Sequence, residues 1–173
     1  MPPHFLIAIR IPTALLVAID DRTVQFWMQP VHFVVRIVHI LAMAAFFGGI
    51  LLVDLRLMGW RGALSLRDLT RQTMPAIYWA FAVTMVTGLA LFFYDPVHVG
   101  SHAYFVPKMV CLLLGGINAW TFHKTSYVRA LAEERVIPRS AAIAGAMSIL
   151  FWTGVIAFAC LDTEAAPRVL LRY

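Results

Sequence analysis

The sequence predicts an all-α integral membrane protein, a four-helix bundle with an N-terminal interfacial amphipathic helix. Three observations point there. Hydrophobic residues make up 61% of the 173 positions, against about 45–50% apolar in a soluble domain, and the mean hydropathy is +0.80. Apolar stretches of roughly 20 residues, enough to cross a bilayer core at 1.5 Å rise per residue, recur along the chain. Lys and Arg concentrate in particular connecting loops, so the net charge of +5 marks topology rather than nucleic-acid binding.

Residues 1–30 form the N-terminal interfacial segment. Phe5 to Ile19 is apolar, but Arg10 and Pro12 interrupt it. It is too short to span, and no small-residue cleavage site follows it. The expected element is one amphipathic helix from Thr13 to Gln29, with Asp20, Asp21 and Arg22 in water and Phe26 and Trp27 among headgroups. Residues 31–161 form the four-span membrane domain. Its first span lies in the stretch from Val31 to Gly59, the second runs from Pro75 to Tyr94, the third from Tyr104 to Phe122 and the fourth from Ser140 to Leu161. Pro75 suits a first helical turn, where its missing N–H costs nothing. Residues 162–173 form the C-terminal tail.

Orientation follows from the loops. The first carries Arg56, Arg61, Arg67 and Arg71, the third carries Lys124, Arg129, Arg135 and Arg139, and the second, Asp95 to Ala103, carries neither Lys nor Arg. The expected location is a bacterial inner membrane with loops one and three cytoplasmic and both termini periplasmic.

The first span holds the chain's most unusual pattern. His32, Arg36, His39, Met43, Phe46 and Ile50 follow the i, i+4, i+7 spacing of one helical face. Ionisable groups inside a bilayer are costly and usually face a partner, so this stripe is expected to face the bundle. His39 lies about 10–13 Å deeper than His32. His98, His102 and Lys108 fall near the outer face and His123 at the cytoplasmic end.

Several stretches resemble a bacterial family of small four-span inner-membrane proteins of unassigned function. That family is distantly similar to copper-resistance D and b-type cytochrome membrane domains. The resembling text is HILAMAAFFGGILLVDLRLMG at His39 to Gly59, MPAIYWAFAVTMVTGLALF at Met74 to Phe92, YFVPKMVCLLLGGINAWTFH at Tyr104 to His123 and SILFWTGVIAFA at Ser148 to Ala159. The family closes its last span with a Gly-Arg pair, where Ala159-Cys160 stands here. The resemblance implies fold and location and supplies no reaction.

Imidazole suits haem iron and copper alike. His39 is therefore the candidate ligand for haem b. His102 is the tentative second ligand, chosen for depth, with His98 or His32 next in line. Arg36 and Lys108 are candidates to pair with haem propionates, since guanidinium and ammonium groups complement carboxylates; otherwise both snorkel to headgroups. His98 and His102, with Asp95, give an H-x3-H spacing that fits one metal if helical. The scattered methionines form no clustered copper motif. Asp54 is expected to pair with an arginine of loop one or three. The absence of other carboxylates in the spans argues against a proton-coupled transporter. Cys111 and Cys160 match no zinc or redox spacing and are expected to pack as small apolar residues. The span glycines are expected to permit close helix packing, and Phe92, Phe93, Phe105, Phe151 and Trp152 to lie in the core. No hydrolase triad, phosphate loop or metalloprotease helix is present.

The expected function is that of a small b-type cytochrome-like membrane protein passing electrons between a periplasmic partner and the quinone pool. The alternative is a cofactor-free accessory or anchor subunit of a larger membrane complex, and copper handling is third.

Overall fold

A computed structural model describes residues 10–60, 62, 65–125 and 138–164. Arg61, Arg129 and Arg135 of the basic loops, and most of the expected C-terminal tail, lie outside the described residues. Seven helices are described: α1 (Thr13–Ala18), α2 (Arg22–Met28), α3 (His32–Leu57), α4 (Leu66–Tyr94), α5 (Pro96–Gly100), α6 (Phe105–Thr125) and α7 (Arg139–Glu164). Four of them, α3, α4, α6 and α7, are long and apolar enough to cross a membrane.

Their outward surface agrees with that reading. Trp79 is 75% exposed, Val86 69%, Leu41 65% and Leu150 62%. An exterior this apolar is unfavourable in water and at home in lipid. Where lipid is as apolar as leucine, burial no longer drives helix association, and close packing and interhelical hydrogen bonds hold the bundle instead.

The long helices run alternately up and down. The pairs α3–α4, α6–α7 and α3–α7 are in extensive contact. The centre is aromatic: Phe46 of α3 meets Trp152 of α7 edge-to-face at 4.6 Å between ring centroids, and Phe81 of α4 lies 6.0 Å from the same indole. Trp152 fits because Gly115 of α6 has no side chain; a Cβ there would stand 3.1 Å from the indole. Trp152 and Phe105 are buried as expected, whereas Phe93 is 40% exposed.

Glycine also sets the closest approach of α3 to α7. A Cβ on Gly145 would lie 2.9 Å from the backbone carbonyl oxygen of Asp54 and 3.3 Å from Leu57 Cβ. Gly145→Leu should force the two helices apart and cost about 1–3 kcal/mol, the usual range for overpacking. Gly116→Leu should cost little, because a Cβ there meets nothing within 4 Å. Thermal denaturation of the two variants in the same detergent compares them; equal losses would contradict this packing.

Three boundaries differ from expectation. The second long helix begins at Leu66, not Pro75, and Pro75 lies inside it. Ser65 caps that helix by accepting from Asp68 N, while its own hydroxyl donates to the Asp68 carboxylate at 2.7 Å. This Ser-x-x-Asp box supplies the start signal attributed to the proline. The N-terminal segment is two short helices rather than one. Asp21 ends the continuity by accepting from Thr23 N at 2.8 Å and starting α2 afresh. The last helix continues to Glu164, so Asp162 belongs to its final turn and not to a tail.

The N-terminal segment docks at the α4–α6 connection. Leu16 of α1 is 1% exposed and sits where a Cβ on Gly100 of α5 would be, 2.5 Å from Leu16 Cδ2. The first helices and the second loop therefore share one end of the bundle.

Candidate functional site

His39 is half-buried and faces α4. The Thr87 hydroxyl donates back to the Val83 carbonyl at 2.6 Å, as threonines in helices often do. With its one proton committed there, Thr87 Oγ1 accepts from His39 Nδ1–H at 2.9 Å. That bond suits the Nδ1–H tautomer, in which Nε2 is unprotonated, the state in which a histidine ligates metal. Gly88 completes the seat: a Cβ there would stand 2.9 Å from His39 Cε1 and 3.9 Å from Nε2. The sequence marks Gly88 only as a small span residue that permits close packing and does not pair it with Thr87. The signal for the pair is a hydroxyl beside a glycine in an apolar run, at the depth of His39 on the antiparallel neighbour.

The stripe around His39 holds in part. His32, His39, Met43, Phe46 and Ile50 face the bundle at least partly, but Arg36 is exposed on the flank of α3. Val35 takes the inward position instead, because 3.6 residues per turn puts residue 36 past the edge of the face. Among the described residues Arg36 has no acidic partner. Lys108 has one: its Nζ lies 3.5 Å from Asp162 Oδ2 and 4.9 Å from the Phe105 ring centroid. Asp162 Oδ1 also accepts from Tyr104 N at 3.0 Å, so one carboxylate both neutralises Lys108 and caps the start of α6. Lys108 stands close enough for its charge to be felt at His102.

His102 lies just beyond α5, with its ring 4.7 Å from that of His98. Asp95 caps α5 by accepting from His98 N at 3.1 Å, so the H-x3-H pair straddles a helix end. Burial holds His102 below the usual histidine range; His98, Lys108 and Arg10 push the same way, while Asp162 opposes them. No contact joins His102 to His39. His32 donates from Nδ1 to the Gln29 carbonyl at 2.7 Å and stacks on Tyr94. At the other end of the bundle His123 Nδ1 lies 3.3 Å from the Ala119 carbonyl, and its Nε2 accepts from Tyr78 OH at 2.9 Å. Among the described residues no three His, Cys, Asp or Glu side chains come together as a metal-binding group.

Asp54 departs from expectation. It is 4% exposed inside α3, and its Oδ2 has no hydrogen-bond partner. Among the described residues it makes no ion pair. Arg56, two residues on, points the other way, and its Nη1 donates to the Trp60 carbonyl at 2.8 Å. Helical spacing explains this, since residues i and i+2 lie on opposite sides. The Ser148 hydroxyl faces the Asp54 carboxyl from α7. With Asp54 in α3 and Asp162 in α7, the spans are not free of carboxylates. Cys111 packs as expected, its Sγ filling the space at Gly154.

Compared with family models, curated proteins and solved structures, the chain gives no match.

Proposed function

We propose that this chain is a small integral-membrane electron-transfer protein of the b-type cytochrome kind. It passes electrons between a periplasmic partner and the quinone pool, with haem b held by His39. The observation that carries the reading is the Thr87 bond to His39 Nδ1, which leaves Nε2 as a lone-pair donor inside the membrane. Of the residues present, His39 would hold the iron through Nε2. Nothing pairs His102 with it, so the bis-histidine arrangement draws no support from the contacts. Lys108 is committed to Asp162, and Arg36 is the cation remaining nearby for a propionate. Bound haem supplies one-electron chemistry; the chain's own part is to orient the imidazole and hold its proton on Nδ1.

The accessory-subunit reading has its own supporting observation. Lys108–Asp162 and His39–Thr87 each satisfy polar groups of the spans within the chain. The two readings separate on the absorption spectrum of protein expressed with ample haem and purified. The cytochrome reading expects a Soret band and a reduced α-band. A protein without either replaces it with the accessory-subunit reading.

The placement in a bacterial inner membrane with both termini outside belongs to the same proposal, supported by the Lys and Arg distribution between loops and by α1 docking beside α5. Reporter fusions at Arg67 and Gly100 should report opposite sides. The same side for both would contradict the topology.

A further inference from the structure

We propose that the groove between α4 and α6 binds the acyl chain of an anionic phospholipid, whose phosphate is held by Lys124. The helices α4 and α6 meet at two places only a few turns apart. Phe92 stacks on Phe105 at one end, 5.4 Å between centroids, and Tyr78 bonds His123 at the other. Between these contacts they part and leave an apolar groove of about 290 Å³, lined by Phe81, Leu112, Leu113, Gly116, Ile117 and Trp120. From Leu112 to Trp120 the α6 wall runs for about 12 Å along the helix axis. Gly116 forms an open stretch of that wall, with nothing within 4 Å of where a Cβ would be.

The chemistry of the groove's mouth selects the occupant. Leu113, Ile117, Trp120 and Lys124 lie on one stripe of α6 by their i, i+4, i+7, i+11 spacing. The Lys124 ammonium stands over the Trp120 ring, 4.2 Å from its centroid, at the end of an apolar wall. Among the described residues Lys124 has no acidic partner. On α4 the stripe of Phe81 and Tyr78 continues to exposed Arg71; Asp68, in the first turn of α4, accepts from the Ser65 hydroxyl and keeps its charge. The α6 wall of the groove therefore ends in a cation, Lys124. A hydrocarbon chain with a net negative headgroup matches both parts; a zwitterionic lipid brings the same phosphate but offsets it with its own ammonium, which Lys124 repels.

Trp120 reports the occupant directly. The protein is reconstituted into phosphatidylcholine vesicles containing phosphatidylglycerol, with bromine on the acyl chains of one lipid or the other. The quenching of Trp120 is read as the difference between the native protein and Trp120→Phe. Brominated phosphatidylglycerol should be preferred over brominated phosphatidylcholine by about fivefold, the contribution of one lysine near an anionic surface. Lys124→Arg should keep the preference, and Lys124→Gln should remove it. Gly116→Leu should fill the groove and weaken quenching by both lipids. Equal quenching by the two lipids overturns the proposal, as does a preference that survives Lys124→Gln. Absence of quenching by either lipid also overturns it and assigns the groove to a second copy or a partner helix.

Discussion

Trp152→Ala should be the most damaging single truncation in the bundle, at about 3 kcal/mol, the lower end of the range for deleting a large aromatic from a core. The indole touches three other helices at once: Phe46 on α3, Phe81 on α4 and the bare backbone at Gly115 on α6. Its removal would forfeit two edge-to-face aromatic contacts and open a cavity that none of the three can fill without leaving another partner. In lipid the transfer gain of burial is small, so the loss is chiefly of packing, which is why the lower end applies. Trp79→Ala is the control, since that indole faces outward. Reversible unfolding in mixed micelles should show a large loss for Trp152→Ala and little for Trp79→Ala. Similar losses would mean that the aromatic cluster is not the centre of the fold.

Lys108→Met should cost a similar amount, about 3 kcal/mol, because breaking one side of a buried ion pair strands the other. The stranded group is Asp162, whose side chain is only 7% exposed and would retain the Tyr104 N–H alone. Adding Asp162→Asn should recover part of the loss, since an amide oxygen still accepts from Tyr104 and no buried charge is left unpaired. Arg36→Met, on the exposed flank of α3, should change stability little. The double variant decides: a loss equal to the sum of the two single losses would show that the pair does not act as a unit.

The sequence and the structure agree where hydropathy alone decides. Four spans follow from apolar runs too long for any other element, and the inward face of α3 follows from the spacing of His39, Met43, Phe46 and Ile50. They part where a boundary depends on a local hydrogen bond. Ser65-x-x-Asp68 starts α4 nine residues before Pro75 because a capping box outweighs a proline's preference for a first turn. Asp21 splits the N-terminal segment for the same kind of reason. The candidate site was legible as one residue, His39, and not as a site. Its partner Thr87 and seat Gly88 lie on another helix, and their register depends on the tilt and rotation of α4, which no single-helix pattern encodes. Asp162 looks like tail in the sequence because an acidic residue after an apolar run resembles an exit from the membrane. The extra turn of α7 that carries it back to Lys108 is visible only in three dimensions.

The proposed hold of His39 Nε2 on haem is tested most directly by the Soret absorbance of His39→Ala beside His123→Ala, both expressed with ample haem. His39→Ala should lose the band or weaken it sharply. His123→Ala should keep it, because both ring nitrogens of His123 are engaged at the far end of the bundle, with Ala119 and Tyr78. A Soret band of native intensity in His39→Ala would contradict the account.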